Sequence, residues 1–214
     1  MYPHRIRLRG PWECEPLARA DGGAVPPRLR MTMPCRWRDG GLADFAGRVR
    51  FVRRFGLPRQ IDEHERLWLS FGGLTGTADV LLNGALLGQI SGGSEFEVTA
   101  RLRDRNELIV EMDGGPDGGL WGETALIIRA TAYLTDLQPL PDGGVAGKVI
   151  GTALRPLDLY LLHEGKTVRH MMATPTAEGA TFALHPEEKT QEPAPEVRVD
   201  LIDGGVIWDS QVVN

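Results

Sequence analysis

The sequence has almost no helical periodicity: apolar residues do not recur at three- and four-residue spacing over a helix-length stretch, which argues against helix-built folds and their phosphate sites. It also lacks a run of about 18 apolar residues, so no helical membrane span and no membrane partner is expected. The first residues, MYPHRIRLRGPWECEPL, carry charge and prolines where a secretory leader would be apolar. The expected location is therefore cytoplasmic. Cysteine is scarce: Cys14 and Cys35, without CxxC spacing, make neither a disulfide framework nor a zinc site and are expected as two buried thiols.

Catalytic signatures are missing as well. His4, His64, His163, His170 and His185 show no HxH or HExxH spacing, and no serine sits in a GxSxG elbow. SGGSE and DGGPDGG are glycine-rich without the GxxxxGK[ST] form that cradles phosphates. No catalytic residue and no cofactor is assigned. EMDGGPDGGLWGE gathers Glu111, Asp113, Asp117 and Glu123, an oxygen-rich stretch of the kind that suits a structural calcium. No ligand spacing specifies one, so no metal ligand is assigned.

What the chain has in quantity is two-residue alternation, broken every 8 to 12 residues by Gly, Pro, Asn or Asp; the expected class is all-β. With 214 residues and 42% hydrophobic content it can bury a normal core. In GRVRFVRRFGLP, Val49, Phe51, Phe55 and Leu57 share a face with Arg53, while Arg48, Arg50 and Arg54 share the other with Val52. In RLWLSFGG, Leu67, Leu69 and Phe71 point inward, Arg66 and Ser70 outward, and Trp68 is an aromatic on the outer face. Asn83-Gly84 joins ADVLL to ALLGQI as a two-residue hairpin turn, because both residues tolerate positive φ. Gly92-Gly93 lets the chain cross to another sheet edge, after which FEVTARL and NELIVEM resume the alternation through Phe96, Val98, Leu102, Leu108, Val110 and Met112. Asn83 and Asn106 are read as turn residues rather than ligands for a bound molecule.

Pro139, Pro141, Gly143 and Gly144 suggest a linker. They divide the chain into a domain over 1–138 and a smaller β-sandwich over 145–214, with an exposed polar loop at 186–196. Charge is uneven too: residues 1–60 hold 13 Arg and 5 acidic residues, against a net charge of −5 for the whole chain. Contact between the basic and acidic regions neutralises such a split without a nucleic-acid partner, and none is expected.

Taken in order, PCRWRDGGLADFAGRVRFVRRFGLP, ERLWLSFGGLTGTADVLLNGALLG, GGSEFEVTARL, NELIVEM and GGLWGETALII resemble the N-terminal sugar-binding jelly roll of family 2 glycoside hydrolases, the β-galactosidase and β-glucuronidase group. The resemblance runs from about Ile6 to Arg129 and implies a galactose-binding-domain-like jelly-roll β-sandwich followed by a small immunoglobulin-like β-sandwich. In that family a TIM barrel supplies the acid/base and nucleophilic glutamates of hydrolysis. The chain reaches Asn214 before any such barrel, so no catalytic glutamate is carried over and a non-catalytic role is expected.

Two functions fit. A carbohydrate-binding protein needs an aromatic face to stack on a sugar ring and planar polar groups for its hydroxyls. Trp121 flanked by Asp117 and Glu123 supplies both, and Trp37 with Asp39 forms a second candidate. Alternatively, Trp121 plugs the end of the sandwich and the chain is an interaction scaffold, self-associating as a homo-oligomer or docking to a separately encoded catalytic subunit through its outward arginines.

Overall fold

The computed structural model describes residues 3–187 and 196–213. Most of the polar loop expected over 186–196 lies outside the described residues. The chain divides into two compact units. One comprises Arg5–Ile61 and Leu67–Ile127; the other comprises Asp62–Arg66 and the chain from Ile128 onward, together with the N-terminal residues to His4. Both are β-sandwiches, and among the described residues the only helical segments are 3-10 turns at Trp37–Gly40 and Thr99–Arg101. No helix of the described residues is long and apolar enough to cross a membrane.

The strands of the first sandwich are β1 (His4–Arg7), β2 (Trp12–Arg19), β3 (Leu29–Met31), β4 (Cys35–Arg36), β5 (Gly47–Gly56), β6 (Glu65–Phe71), β7 (Thr77–Leu82), β8 (Ala85–Ile90), β9 (Ser94–Glu97), β10 (Arg105–Gly114), β11 (Gly119–Leu120) and β12 (Thr124–Ala130). One sheet runs β1-β12-β6-β9, the other β3-β2-β5-β10-β7-β8, and β4 pairs with β11 as a short ribbon. The spine is the antiparallel pair β5 and β10, from Arg105 opposite Gly56 to Gly114 opposite Gly47. Val49, Phe51, Leu108, Val110 and Met112 are fully buried on its inner face, as the alternation requires. On the outer face the arginines meet acids: Arg48 reaches Glu111 (2.9 Å), Arg50 reaches Glu111 (2.7 Å), and Arg54 reaches Glu107 and Glu13 (both 2.9 Å). Three arginines of the N-terminal region are thus neutralised across strands of one sheet.

The Asn83-Gly84 hairpin forms as expected, with φ of 53° and 82° at the two turn residues joining β7 to β8. Gly92-Gly93 carries the chain from β8, at the edge of the six-stranded sheet, to β9 at the edge of the four-stranded one. Trp68, the outward aromatic, lies opposite Glu97 of β9 and is only partly exposed. One segment departs from expectation. The alternation of FEVTARL does not continue past Glu97, because Thr99–Arg101 winds into a 3-10 turn. Two hydrogen bonds fix that turn: the Glu97 carboxylate accepts the Thr99 N–H (2.9 Å), and the Thr99 hydroxyl accepts the Leu67 N–H (2.8 Å).

The second sandwich holds β13 (Ala132–Pro139), β14 (Val145–Gly151), β15 (Leu157–His163), β16 (Lys166–Ala173), β17 (Ala180–Leu184), β18 (Val197–Asp203) and β19 (Val206–Val213), in sheets β13-β14-β17 and β16-β15-β18-β19. Leu134, Val145, Val149, Leu157, Leu159, Leu161, Leu184, Val199, Leu201 and Trp208 pack in its core. The expected linker is a hairpin turn inside this unit: Leu140 N–H bonds Gly144 O (2.8 Å), and β13 pairs with β14 on either side. The division at 1–138 and 145–214 is corrected accordingly, with β13 belonging to the second sandwich. The sequence misleads here because Pro and Gly serve tight turns as readily as linkers.

Candidate functional site

All five candidate residues flank the β4–β11 ribbon of the first sandwich: Trp37 and Asp39 in the 3-10 turn after β4, Asp117 before β11, and Trp121 and Glu123 after it. The ribbon pairs Cys35 with Leu120 and Arg36 with Gly119, and a bridge from Thr75 to Gly119 ties it to the segment after β6.

Trp37 opens the 3-10 turn after β4 and is completely buried. Its ring meets Phe45 edge-on at 5.7 Å between centroids. A Cβ added to Gly118 would sit 2.8 Å from its Cε3, and one added to Gly114 would sit 3.1 Å from its Cη2. The glycines of DGGPDGG therefore let the loop backbone close over this indole. Trp37 is the plug of the sandwich end and offers no stacking face, which corrects its candidacy as a ligand-binding residue. Asp39 stays exposed two residues on and enters none of the hydrogen bonds or ion pairs that fix Trp121.

Trp121 is the opposite case, at 43% exposure. Its Nε1 donates to the Thr75 hydroxyl (3.0 Å), and the Arg36 guanidinium stands 5.5 Å from the ring centroid. Its benzo ring lies against Gly73, where an added Cβ would fall 2.6 Å from Cη2. The backbone beneath is fixed by hydrogen bonds from Gly122 N–H to Gly73 O (2.9 Å) and from Gly72 N–H to Glu123 O (2.7 Å). The indole is held in one orientation while much of it meets solvent.

The flanking carboxylates are both ion-paired. Asp117 reaches Arg38 (2.9 Å) with most of its side chain exposed. Glu123 is bound by Arg5 (2.8 Å) and by Arg7. The hydrogen bond from Arg5, with the charges of Arg7, Arg5 and Arg9, holds the Glu123 carboxyl below the usual carboxylate range. Carboxylate oxygens at both positions keep lone pairs for hydroxyl donors. Sequence reading missed the groups that orient Trp121, namely Gly73, Thr75 and Arg36, and the arginine partners of the carboxylates. They lie 46 positions away in the case of Thr75 and 118 in the case of the Arg5–Glu123 pair, where no local pattern connects them.

The same geometry bears on metal. Glu111 and Asp113, the other acids of the oxygen-rich stretch, are engaged by Arg48 and Arg50. Glu123 and Asp117 are taken by arginines too, so the stretch is an ion-pair network rather than a gathered set of free oxygen ligands.

No protein-family model matches the sequence, and no curated protein matches it. Solved structures do. The chain is similar to a β-glucuronidase from Faecalibacterium prausnitzii (TM-score 0.70, 21% identity), covering 98% of this chain and 46% of that one. It is similar to a β-glucuronidase from Bifidobacterium dentium complexed with coumarin-3-O-glucuronide (TM-score 0.68, 21% identity, 99% and 47% covered). A third is a β-glucuronidase from Ruminococcus gnavus in complex with C6-substituted uronic isofagomine (TM-score 0.65, 17% identity, 99% and 44% covered). At these identities the likeness is one of fold: the two successive β-sandwiches recur in glycoside-hydrolase structures, as the resemblance in sequence implies. The chain spans less than half the length of these neighbours.

Proposed function

We propose that the chain is a carbohydrate-binding protein whose first sandwich, of galactose-binding-domain-like type, takes a saccharide against Trp121. The single observation that carries this reading is the fixed, half-exposed indole. Most tryptophans bury, and one left open yet pinned by Thr75, Gly73 and Arg36 is pre-organised for stacking on the apolar face of a sugar ring. Asp117 and Glu123, ion-paired to arginines and partly exposed, supply carboxylate acceptors for hydroxyls beside it.

In this reading the 214 residues contribute recognition and not bond cleavage, and any catalytic partner is a separate part. The second sandwich, of immunoglobulin-like type, serves as a spacer or docking unit. Its fold neighbours, enzymes described with glucuronide or uronic ligands, support a saccharide as the ligand class. A single stacked ring with two or three hydrogen bonds, offset by desolvation, gives a dissociation constant on the order of tens of micromolar to millimolar.

A glycan-binding screen followed by calorimetric titration of its hits tests the proposal. Saccharide binding that Trp121→Ala removes supports it. A screen with no hits, beside a pull-down that recovers a stoichiometric protein partner, transfers the function to the scaffold reading.

A further inference from the structure

A second feature of the first sandwich lies at the other end of β5 and β10. Arg105 pairs with Gly56 there, and Gly114 with Gly47 at the Trp121 end, so nine residue steps, roughly 30 Å, separate the two places. The loop leading into β10 is fixed by two asparagines. Asn83 donates from Nδ2 to Arg101 O (2.8 Å) and to Asn106 Oδ1 (2.9 Å), and its Oδ1 accepts the Glu107 N–H (2.9 Å). Asn106, itself buried, accepts the Arg103 N–H on Oδ1 (2.9 Å) and donates from Nδ2 to Arg103 O (2.7 Å). These bonds hold the backbone that carries Arg103 and Arg105.

That loop walls a cleft of about 680 Å³ lined by Arg54, Asn83, Arg103, Asp104, Arg105 and Glu107 among others. Arg54 and Glu107 satisfy one another at 2.9 Å, and Glu13 takes the rest of Arg54. Arg103 and Arg105 differ from the arginines of the sheet face: neither guanidinium has an ion-pair or hydrogen-bond partner among the described residues. Both are exposed on the wall of the cleft, with Asp104 between them in sequence. Guanidinium forks match the oxygens of phosphate and sulfate, and a backbone already fixed lowers the ordering cost of binding.

We propose that this cleft is an oxyanion site in which Arg103 and Arg105 hold a tetrahedral phosphate or sulfate group. The group is carried either by a free ion or by an acidic glycan. The site is independent of Trp121, and neither its presence nor its absence bears on saccharide stacking there.

The test is titration of the whole chain at low ionic strength with inorganic phosphate, inorganic sulfate and a heparin-derived tetrasaccharide, followed by calorimetry. Binding of at least one probe is expected, weakened tenfold or more in the Arg103→Ala/Arg105→Ala double variant and unchanged in Arg30→Ala, an arginine outside the cleft with no ion-pair or hydrogen-bond partner among the described residues. Asp104→Asn, which removes a competing charge, is expected to tighten binding two- to threefold. A tetrasaccharide at least tenfold tighter than the free ions assigns the site to a glycan; equal affinities assign it to a small anion. Failure of the parent to bind any probe overturns the proposal. So does a double variant with unchanged melting temperature that binds like the parent, equal loss in Arg30→Ala, or weakening in Asp104→Asn.

Discussion

Two tryptophans occur in similar surroundings, RWRDGG and GGLWGE, and the fold gives them opposite tasks. Trp37 is closed in by Phe45 and by the backbone of Gly114 and Gly118, so Trp37→Ala is expected to cost about 3–5 kcal/mol in denaturant unfolding. Trp121, half in solvent, is expected to cost about 1–2 kcal/mol on truncation, in proportion to the area it buries. Gly73→Ala is the more discriminating variant. Its φ is not in the left-handed region, yet its Cβ would strike the Trp121 ring at 2.6 Å, so the indole must move. Saccharide affinity is expected to fall at least fivefold with Trp121 still present; unchanged affinity would mean that the ring's seat on Gly73 does not set the site. The sequence shows that both tryptophans sit among glycines and acids. It does not show which glycine covers which ring, because those contacts are made between strands far apart in the chain.

At the scale of elements, short-range chemistry was readable and long-range partnership was not. The β7–β8 hairpin follows from Asn83-Gly84, and the buried and exposed faces of β5 follow from alternation. Asn83→Ala, which forces a Cβ-limited residue to φ near 53° and removes three side-chain hydrogen bonds, is expected to cost about 2–4 kcal/mol by chemical denaturation. Asn83→Gly, keeping the turn but not the bonds, is expected to cost roughly half as much. The turn at Thr99–Arg101 and the membership of β13 were hidden: the first depends on Leu67, the second on pairing with β14. The ion-pair ladder on the outer face makes a pH prediction. The hydrogen bond from Arg48, with a second from Arg50 and the charges of both, holds the Glu111 carboxyl below the usual range despite partial burial. A carboxyl depressed in the folded state contributes stability that is complete above its unfolded value, about 4.3, and is lost as pH falls through the folded value. Glu111→Gln is therefore expected to lower stability by about 1 kcal/mol at neutral pH. The difference from the parent should shrink as pH drops below about 4, measured by urea unfolding at each pH.

For the whole molecule, the two sandwiches are similar in fold to part of the glycoside-hydrolase structures, and less than half of each such structure is matched. The fold class was legible because alternation and turn residues are local. The candidate site was legible only in part, since Trp121, Asp117 and Glu123 are neighbours in sequence while the arginines that engage them are not. Purified protein is expected to show no turnover of aryl glucuronides or galactosides above background, since in the proposed function no residue of this chain acts as proton donor or nucleophile; turnover retained through purification and lost on no single contaminant-removal step would reverse it. The most direct test of the account is a saccharide titration of the parent and of Trp121→Ala side by side, with melting temperatures recorded on both. The account predicts saturable binding by the parent, with a dissociation constant on the order of tens of micromolar to millimolar, and none by a variant that remains folded. Binding that survives the substitution, or a parent that binds no saccharide, would contradict it.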